Sequence, residues 1–207
     1  LSASGEEHSN FAYGWGTDVW QANGWLGGSG SYSRAWGQPA TTSSVVVDPR
    51  VYSFDNFGED LVIAHNNGTP MYWDASTGVG SKAVKIDNTA SPTTPQSGGT
   101  GTSPATVKSI FVSSPDRHIV CLGAGNPMTV QWASQETTNV WTVNDPNNTA
   151  GSQVLTGGTY LIGWAKVRGQ TLIFSDNNVT GMVFQGPPYT FGFKELGNNC
   201  GLISPQG

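Results

Sequence analysis

Three carboxylates, Asp55, Glu59 and Asp60, crowd a short stretch around Gly58, a grouping able to hold a cation or to supply the acid and base of glycoside hydrolysis. Turns favour Asp and Gly for backbone reasons alone, and that plainer reading is preferred. The histidines His8, His65 and His118 have no Cys or carboxylate at metal-ligand spacing, and His118, opening an apolar strand, reads as a satisfied edge residue rather than a catalyst. Cys121 lies in the apolar run His118-Ile119-Val120-Cys121-Leu122 and reads as a free buried thiol, while Cys200 lies in a Gly/Asn segment. Their spacing fits neither a zinc site nor a disulfide framework. There is no phosphate-binding loop, His-Glu-x-x-His motif or Gly-x-Ser-x-Gly elbow; Gly27-Gly28-Ser29-Gly30 fails at Ser31. The Asn-x-Thr patterns at Asn67, Asn147 and Asn178 are expected by chance in so Asn/Thr-rich a chain. The expectation is a protein without catalytic, cofactor-binding or metal residues, and not an enzyme.

Aromatic rings offer a different chemistry. Trp15, Trp20, Trp25, Trp36, Trp73, Trp132, Trp141 and Trp164 could stack on sugars, which would make the protein a carbohydrate-binding, lectin-like module with an exposed Trp beside Asp or Asn in each structural unit. Most of these rings are expected instead in a core or a seam. Net charge is −5 and no two Lys/Arg are adjacent in sequence, so no basic stripe is visible that could neutralise phosphates and tight sequence-independent DNA binding is not expected. No apolar stretch is long enough for a transmembrane helix, and the N-terminus lacks the basic and apolar regions of a signal peptide. The chain opens with Leu1 rather than Met, as a processed chain or a piece of a longer one would.

The elements that must position these groups are strands. Gly, at 28 positions, punctuates the chain, strong helix formers are scarce, and Val, Thr and aromatics are common, so the fold class is all-β. Residues 1–44 form an irregular segment rich in glycine and aromatics, without period, whose rings serve either as anchors or as an interface. From residue 45 to 207 short β runs alternate with turn signals. Asp60-Leu61-Val62-Ile63-Ala64-His65, the turn Asn66-Asn67-Gly68 and Pro70-Met71-Tyr72-Trp73-Asp74 read as a hairpin. The plan recurs in Arg117 to Leu122, a Gly-Ala-Gly-Asn turn and Pro127-Met128-Thr129-Val130-Gln131-Trp132. A third version is Gln170 to Phe174, the Asp176-Asn177-Asn178 turn and Val179 to Phe184. Each is preceded by a β run: Val51 to Phe54, Ser109 to Val112 and Leu161 to Ala165. A trailing fourth strand is predicted in two units, at Lys82 to Ile86 and Tyr189 to Phe193. Units of about 55 residues emerge, at roughly 45–87, 107–143 and 160–196, with a mobile Ser/Thr/Pro/Gly surface loop at 88–106.

Four-stranded up-and-down sheets at a fixed period are the signature of propeller blades, since one such sheet cannot bury both faces until neighbours stack on it. Three blades with a stub at Leu202-Ile203-Ser204 make a partial propeller, either a fragment or a chain completed by other subunits; a β-sandwich with accidental spacing is the alternative.

Several strings carry a more specific likeness. Phe54-Asp55-Asn56-Phe57-Gly58-Glu59-Asp60-Leu61-Val62, Met71-Tyr72-Trp73-Asp74, Asn148-Thr149-Ala150-Gly151-Ser152-Gln153, Gly186-Pro187-Pro188-Tyr189-Thr190-Phe191-Gly192-Phe193 and Asn199-Cys200-Gly201-Leu202-Ile203-Ser204-Pro205 resemble a family of phage structural proteins, the tail hub or nozzle proteins of short-tailed phages, related to packaged-DNA stabilisation proteins. The resemblance runs from about Val51 to the end. It implies a propeller-containing virion protein, made in the host bacterial cytoplasm and located in the phage tail, and not an enzyme. It also implies a ring of about six copies, a homohexamer around the DNA channel, that contacts other tail proteins such as an adaptor, fibre or spike and acts in DNA retention and genome ejection. Few charges and aromatic seams suit a particle component that packs against copies of itself and touches passing DNA only weakly.

Overall fold

The computed structural model describes residues 51–86 and 99–204. The irregular segment expected at 1–44, with His8 and the first four tryptophans, and most of the expected loop lie outside the described residues. The account below concerns the compact unit that begins at Val51.

The unit is all-β and consists of three antiparallel four-stranded sheets. Sheet 1 comprises β1 (Tyr52–Phe57), β2 (Asp60–His65), β3 (Met71–Trp73) and β4 (Val84–Lys85). Sheet 2 comprises β5 (Ser109–Val112), β6 (Ile119–Leu122), β7 (Thr129–Trp132) and β8 (Gly151–Val154). Sheet 3 comprises β9 (Leu161–Val167), β10 (Gln170–Ser175), β11 (Asn178–Phe184) and β12 (Phe191–Asn198). In each sheet the strands follow chain order, most of them joined by short turns and the longest connection, from β7 to β8, running through residues 133–150. The β1–β2 and β9–β10 reversals take two residues each and place Gly58 and Gly169 at φ +75° and +82°, a region where a side chain is strained.

The three hairpins expected from the repeated plan are present, and the strand edges differ in physically readable ways. The middle unit does not end at 143: it gains β8, whose residues Gly151, Ser152, Gln153 and Val154 lie at a solvated sheet margin and so carry no apolar alternation. The fourth strand of sheet 1 shrinks to two residues, whereas that of sheet 3 runs on to Asn198. Leu202 to Ser204 form no strand; Leu202 N–H bonds to Ser175 O and Ile203 is fully exposed. The described end of the expected mobile loop is fastened. Thr100 N–H bonds to Asn139 O, Trp141 N–H to Thr100 O, and the Ser103 hydroxyl to Ile86 O. Paired backbone groups of this kind hold a segment that composition alone describes as a loop.

Sheet 2 is buried on both faces, and its β5 and β6 are buried at every position. Alternation assigns successive side chains to opposite neighbours. Ile110, Val112, Ile119 and Cys121 join Phe57, Val62, Ala64 and Tyr72 of sheet 1 in one core. Phe111, Val120, Leu122, Val130 and Trp132 join Leu161, Ile173, Met182 and Phe191 of sheet 3 in the other. Each fully buried Ile or Phe in these seams contributes about 1.5–3 kcal/mol through loss of water contact.

The sheets converge at one edge. Ile110 N–H donates to Ser53 Oγ (2.9 Å), Val112 N–H to Asp55 Oδ2 (2.8 Å), and Trp164 Nε1–H to Ser109 Oγ (3.0 Å). Lys166 of β9 reaches Asp55 of β1, an ion pair from the third sheet to the first. Parallel layers about 10 Å apart would leave sheets 1 and 3 about 20 Å apart, beyond the reach of a Lys and an Asp together. The three sheets therefore fan out from a narrow edge formed by β1, β5 and β9 rather than stacking as three parallel layers.

Candidate functional site

The narrow edge gathers polar side chains from all three sheets. Ser53 and Asp55 alternate along β1 and point at β5, where the outward N–H groups of Ile110 and Val112 have no strand beside them. Asp55, with only 18% of its side chain exposed, thus accepts both a backbone N–H and the Lys166 ammonium. Lys166 also lies 5.5 Å from the centre of the Trp164 ring, which in turn packs on Phe111 at 4.9 Å. Beside this cluster a shallow groove of about 230 Å³ is lined by Val51, Tyr52, Ser53, Phe54, Lys108, Ser109, Gly163 and Trp164. The arrangement is a fastening: each polar atom named is engaged across a seam.

The carboxylates around Gly58 do not form a common site. Asp55 is held as above, and Asp60 accepts from the Tyr72 hydroxyl and from Ala75 N–H. Burial, followed by the hydrogen bond to Asp60, pushes the Tyr72 phenol well above its ordinary range. Glu59 is left exposed on the turn. No cluster of three or more His, Cys, Asp or Glu suited to a metal ion occurs among the described residues.

A second polar centre lies inside sheet 2, at the β5–β6 turn. His118 is fully buried, not an edge residue, and Asp116 is within reach of it, contrary to the expectation from spacing. Arg117 adopts φ +52° between them and folds the chain back, so that Asp116 Oδ2 lies 2.8 Å from His118 Nδ1. Ser113 Oγ–H donates to the same Oδ2 (2.6 Å) and Ser113 Oγ accepts the His118 backbone N–H (3.0 Å). On the far side His118 Nε2 meets Thr149 Oγ1 at 3.0 Å, and Thr149 Oγ1 accepts Gln135 N–H at 2.9 Å. Burial holds His118 below its ordinary pKa, against the opposing pull of Asp116. A neutral imidazole fits the partners: Nδ1–H donates to Asp116 and Nε2 accepts the Thr149 hydroxyl.

Thr149, His118 and Asp116 thus have the connectivity of an acyl-transfer relay. Phe184 and Phe191 of sheet 3 pack against the imidazole, their ring centres 5.7 and 5.1 Å from it. The network holds the β5–β6 turn to the segment leading into β8 and lies beneath those two rings of sheet 3. The Asp-x-His spacing in a hairpin was the sequence signal for it.

The other candidates are placed as follows. Cys121 is buried, with its thiol pushed up by burial, and Cys200 is exposed. Asn178 is buried, which closes the third glycosylation pattern. Trp132 and Trp141 are core residues, and Trp73 and Trp164 are half-buried, with the Trp73 indole N–H on Ser81 O. Trp73 points away from sheet 2 while Trp132 points towards sheet 3, so corresponding strands aim their rings in opposite directions along the fan. In comparison with known proteins, no family model and no curated protein matches the chain.

Proposed function

We propose that this chain is a structural component of a bacteriophage tail, a hub or nozzle protein whose propeller-like sheets pack against copies of itself around the DNA channel and serve tail assembly, DNA retention and ejection. The observation that carries the reading is the fan itself. A sheet buried on both faces and tied to both neighbours at one edge is what a blade requires, and it agrees with the plan implied by the resemblance from Val51 onward. The polar centres fit the same role: Asp55 and His118 are engaged in holding sheets together, as a component that must resist dissociation needs. The carbohydrate-binding alternative has less support, because none of the four described tryptophans is an exposed ring offered for stacking.

The test is physical presence in a particle. Peptides of this chain recovered from purified phage tails, and ring-shaped assemblies of the purified protein in negative stain, are the expected results. Saturable binding on a glycan array without ring assemblies would overturn the reading.

A further inference from the structure

We propose that Thr149 is a covalent acceptor for short acyl groups: its hydroxyl, with His118 as general base, takes the acyl group of an activated ester. The inference adds a reactive site to the network of sheet 2 and is independent of the virion role.

The requirements of an activated hydroxyl meet at this residue. Thr149 Oγ1 lies 3.0 Å from His118 Nε2, and His118 Nδ1 lies 2.8 Å from Asp116 Oδ2, so a base is adjacent and its tautomer is fixed with Nε2 as the acceptor. Asp116 is itself held by the Ser113 hydroxyl at 2.6 Å, and its charge stabilises the imidazolium that forms when the proton moves. The Gln135 N–H donates to Thr149 Oγ1 at 2.9 Å, which favours the ionised form of that oxygen. Thr149 is partly exposed and its neighbours Gln135 and Asn147 are exposed, which puts this end of the relay at the surface.

Ser134 marks where the reacting group goes. Its Oγ lies 3.3 Å from Thr149 Oγ1 and accepts the Thr149 N–H at 3.2 Å. A carbonyl group seated there sets its carbon beside the nucleophile and its oxygen on a backbone donor that holds the developing oxyanion. Both contacts are long and are made by one small side chain, so rotation of Ser134 clears the position. The space it vacates is that of a hydroxymethyl group, which selects an acetyl-sized acyl group over a long chain. In the reaction Oγ1 attacks the carbonyl carbon and the hydroxyl proton passes to His118 Nε2. The bond from that carbon to the leaving oxygen then breaks with its electron pair. The leaving group takes the proton from Nε2 and departs as the free alcohol or phenol, and Thr149 carries the ester.

The experiment treats the folded 207-residue chain with p-nitrophenyl acetate and locates the acetyl groups by peptide mass spectrometry. The expected result is an ester on Thr149, removed by neutral hydroxylamine, which leaves acetyl-lysine amides intact. His118→Gln should slow its formation by about 100-fold or more, the share of a positioned general base. Thr149→Ser should keep the reaction. Ser134→Gly should speed it by up to about tenfold, since a hydrogen-bonded side chain no longer has to move aside. A network that only fastens strands gains no reactivity from the loss of Ser134. Absence of the ester on Thr149 while surface lysines are acetylated overturns the proposal. So does acetylation of Thr149 that is unchanged in His118→Gln, or slowed in a folded Ser134→Gly variant. If His118→Gln loses its β-sheet circular dichroism, the wild-type map and Ser134→Gly decide.

Discussion

Removing the Asp55 side chain tests whether the fan is fastened at its narrow edge. Asp55→Ala leaves the Val112 N–H, on a residue only 4% exposed, without a partner, and it strands Lys166. An unmade hydrogen bond at a buried donor costs about 1–3 kcal/mol, more when the lost acceptor was charged. The Lys166 pair is different. Its ammonium side chain is 37% exposed, so solvent screening limits that share to about 1 kcal/mol or less. The expected loss for Asp55→Ala is therefore about 2–4 kcal/mol, most of it from Val112. Asp55→Asn keeps an oxygen for that N–H and should lose about 1 kcal/mol, and Lys166→Met about 0.5 kcal/mol. Urea unfolding of the three variants, at low salt and at about 1 M salt, separates the shares, since only the ion-pair share is screened. If Asp55→Ala and Lys166→Met destabilise equally, or if Asp55→Asn is as damaging as Asp55→Ala, the backbone bond is not what joins the sheets.

His118 gives a pH dependence of known sign. Its folded pKa lies below the unfolded value, so as pH falls below about 6.5 the unfolded chain takes up the proton first. Stability should be full above that pH and fall by up to about 1.4 kcal/mol per pH unit below it, until folded His118 itself titrates; urea midpoints should show this extra slope in the wild type and not in His118→Gln. Ile110→Ala and Phe111→Ala, neighbours in sequence but in different seams, should cost about 2–5 and 3–5 kcal/mol. Amide exchange should accelerate first around Val62 and Ala64 for Ile110→Ala, and around Ile173 and Met182 for Phe111→Ala. With a net charge of −5, the protein should retain no duplex DNA on a filter at physiological salt; retention would refute the view that phosphates meet repulsion rather than a grip.

What could be read from the sequence was whatever a local pattern encodes. The three hairpins were legible because Asn66-Asn67-Gly68, the Gly-Ala-Gly-Asn turn and Asp176-Asn177 separate β runs, and both partners of each pairing lie within a few residues of the turn. β8 was not legible, since Ser152 and Gln153 at an exposed margin have no apolar pattern to read. The roles of Asp55 and His118 were hidden for another reason. Asp55 finds Val112 at a separation of 57 residues and Lys166 at 111, one repeat and two repeats along the chain. His118 finds Thr149 at 31. Residues that looked like an acidic turn and a strand-end imidazole acquire their partners only when the sheets come together.

The same separations explain why Ser and Asp stand in a strand at all. Both are poor strand formers, and on a face packed against another sheet they cost stability unless bonded. β5 is the first strand of its sheet, so one row of its N–H groups faces outward, an open edge in the core of the unit. Ser53 and Asp55 supply the acceptors that a neighbouring strand would have supplied, one for Ile110 and one for Val112, two residues apart on each side. A side-chain acceptor, unlike a strand, does not extend the sheet. It lets sheet 2 begin at β5 and turn away from sheet 1, and that turn is the difference between three sheets that fan and one that runs on.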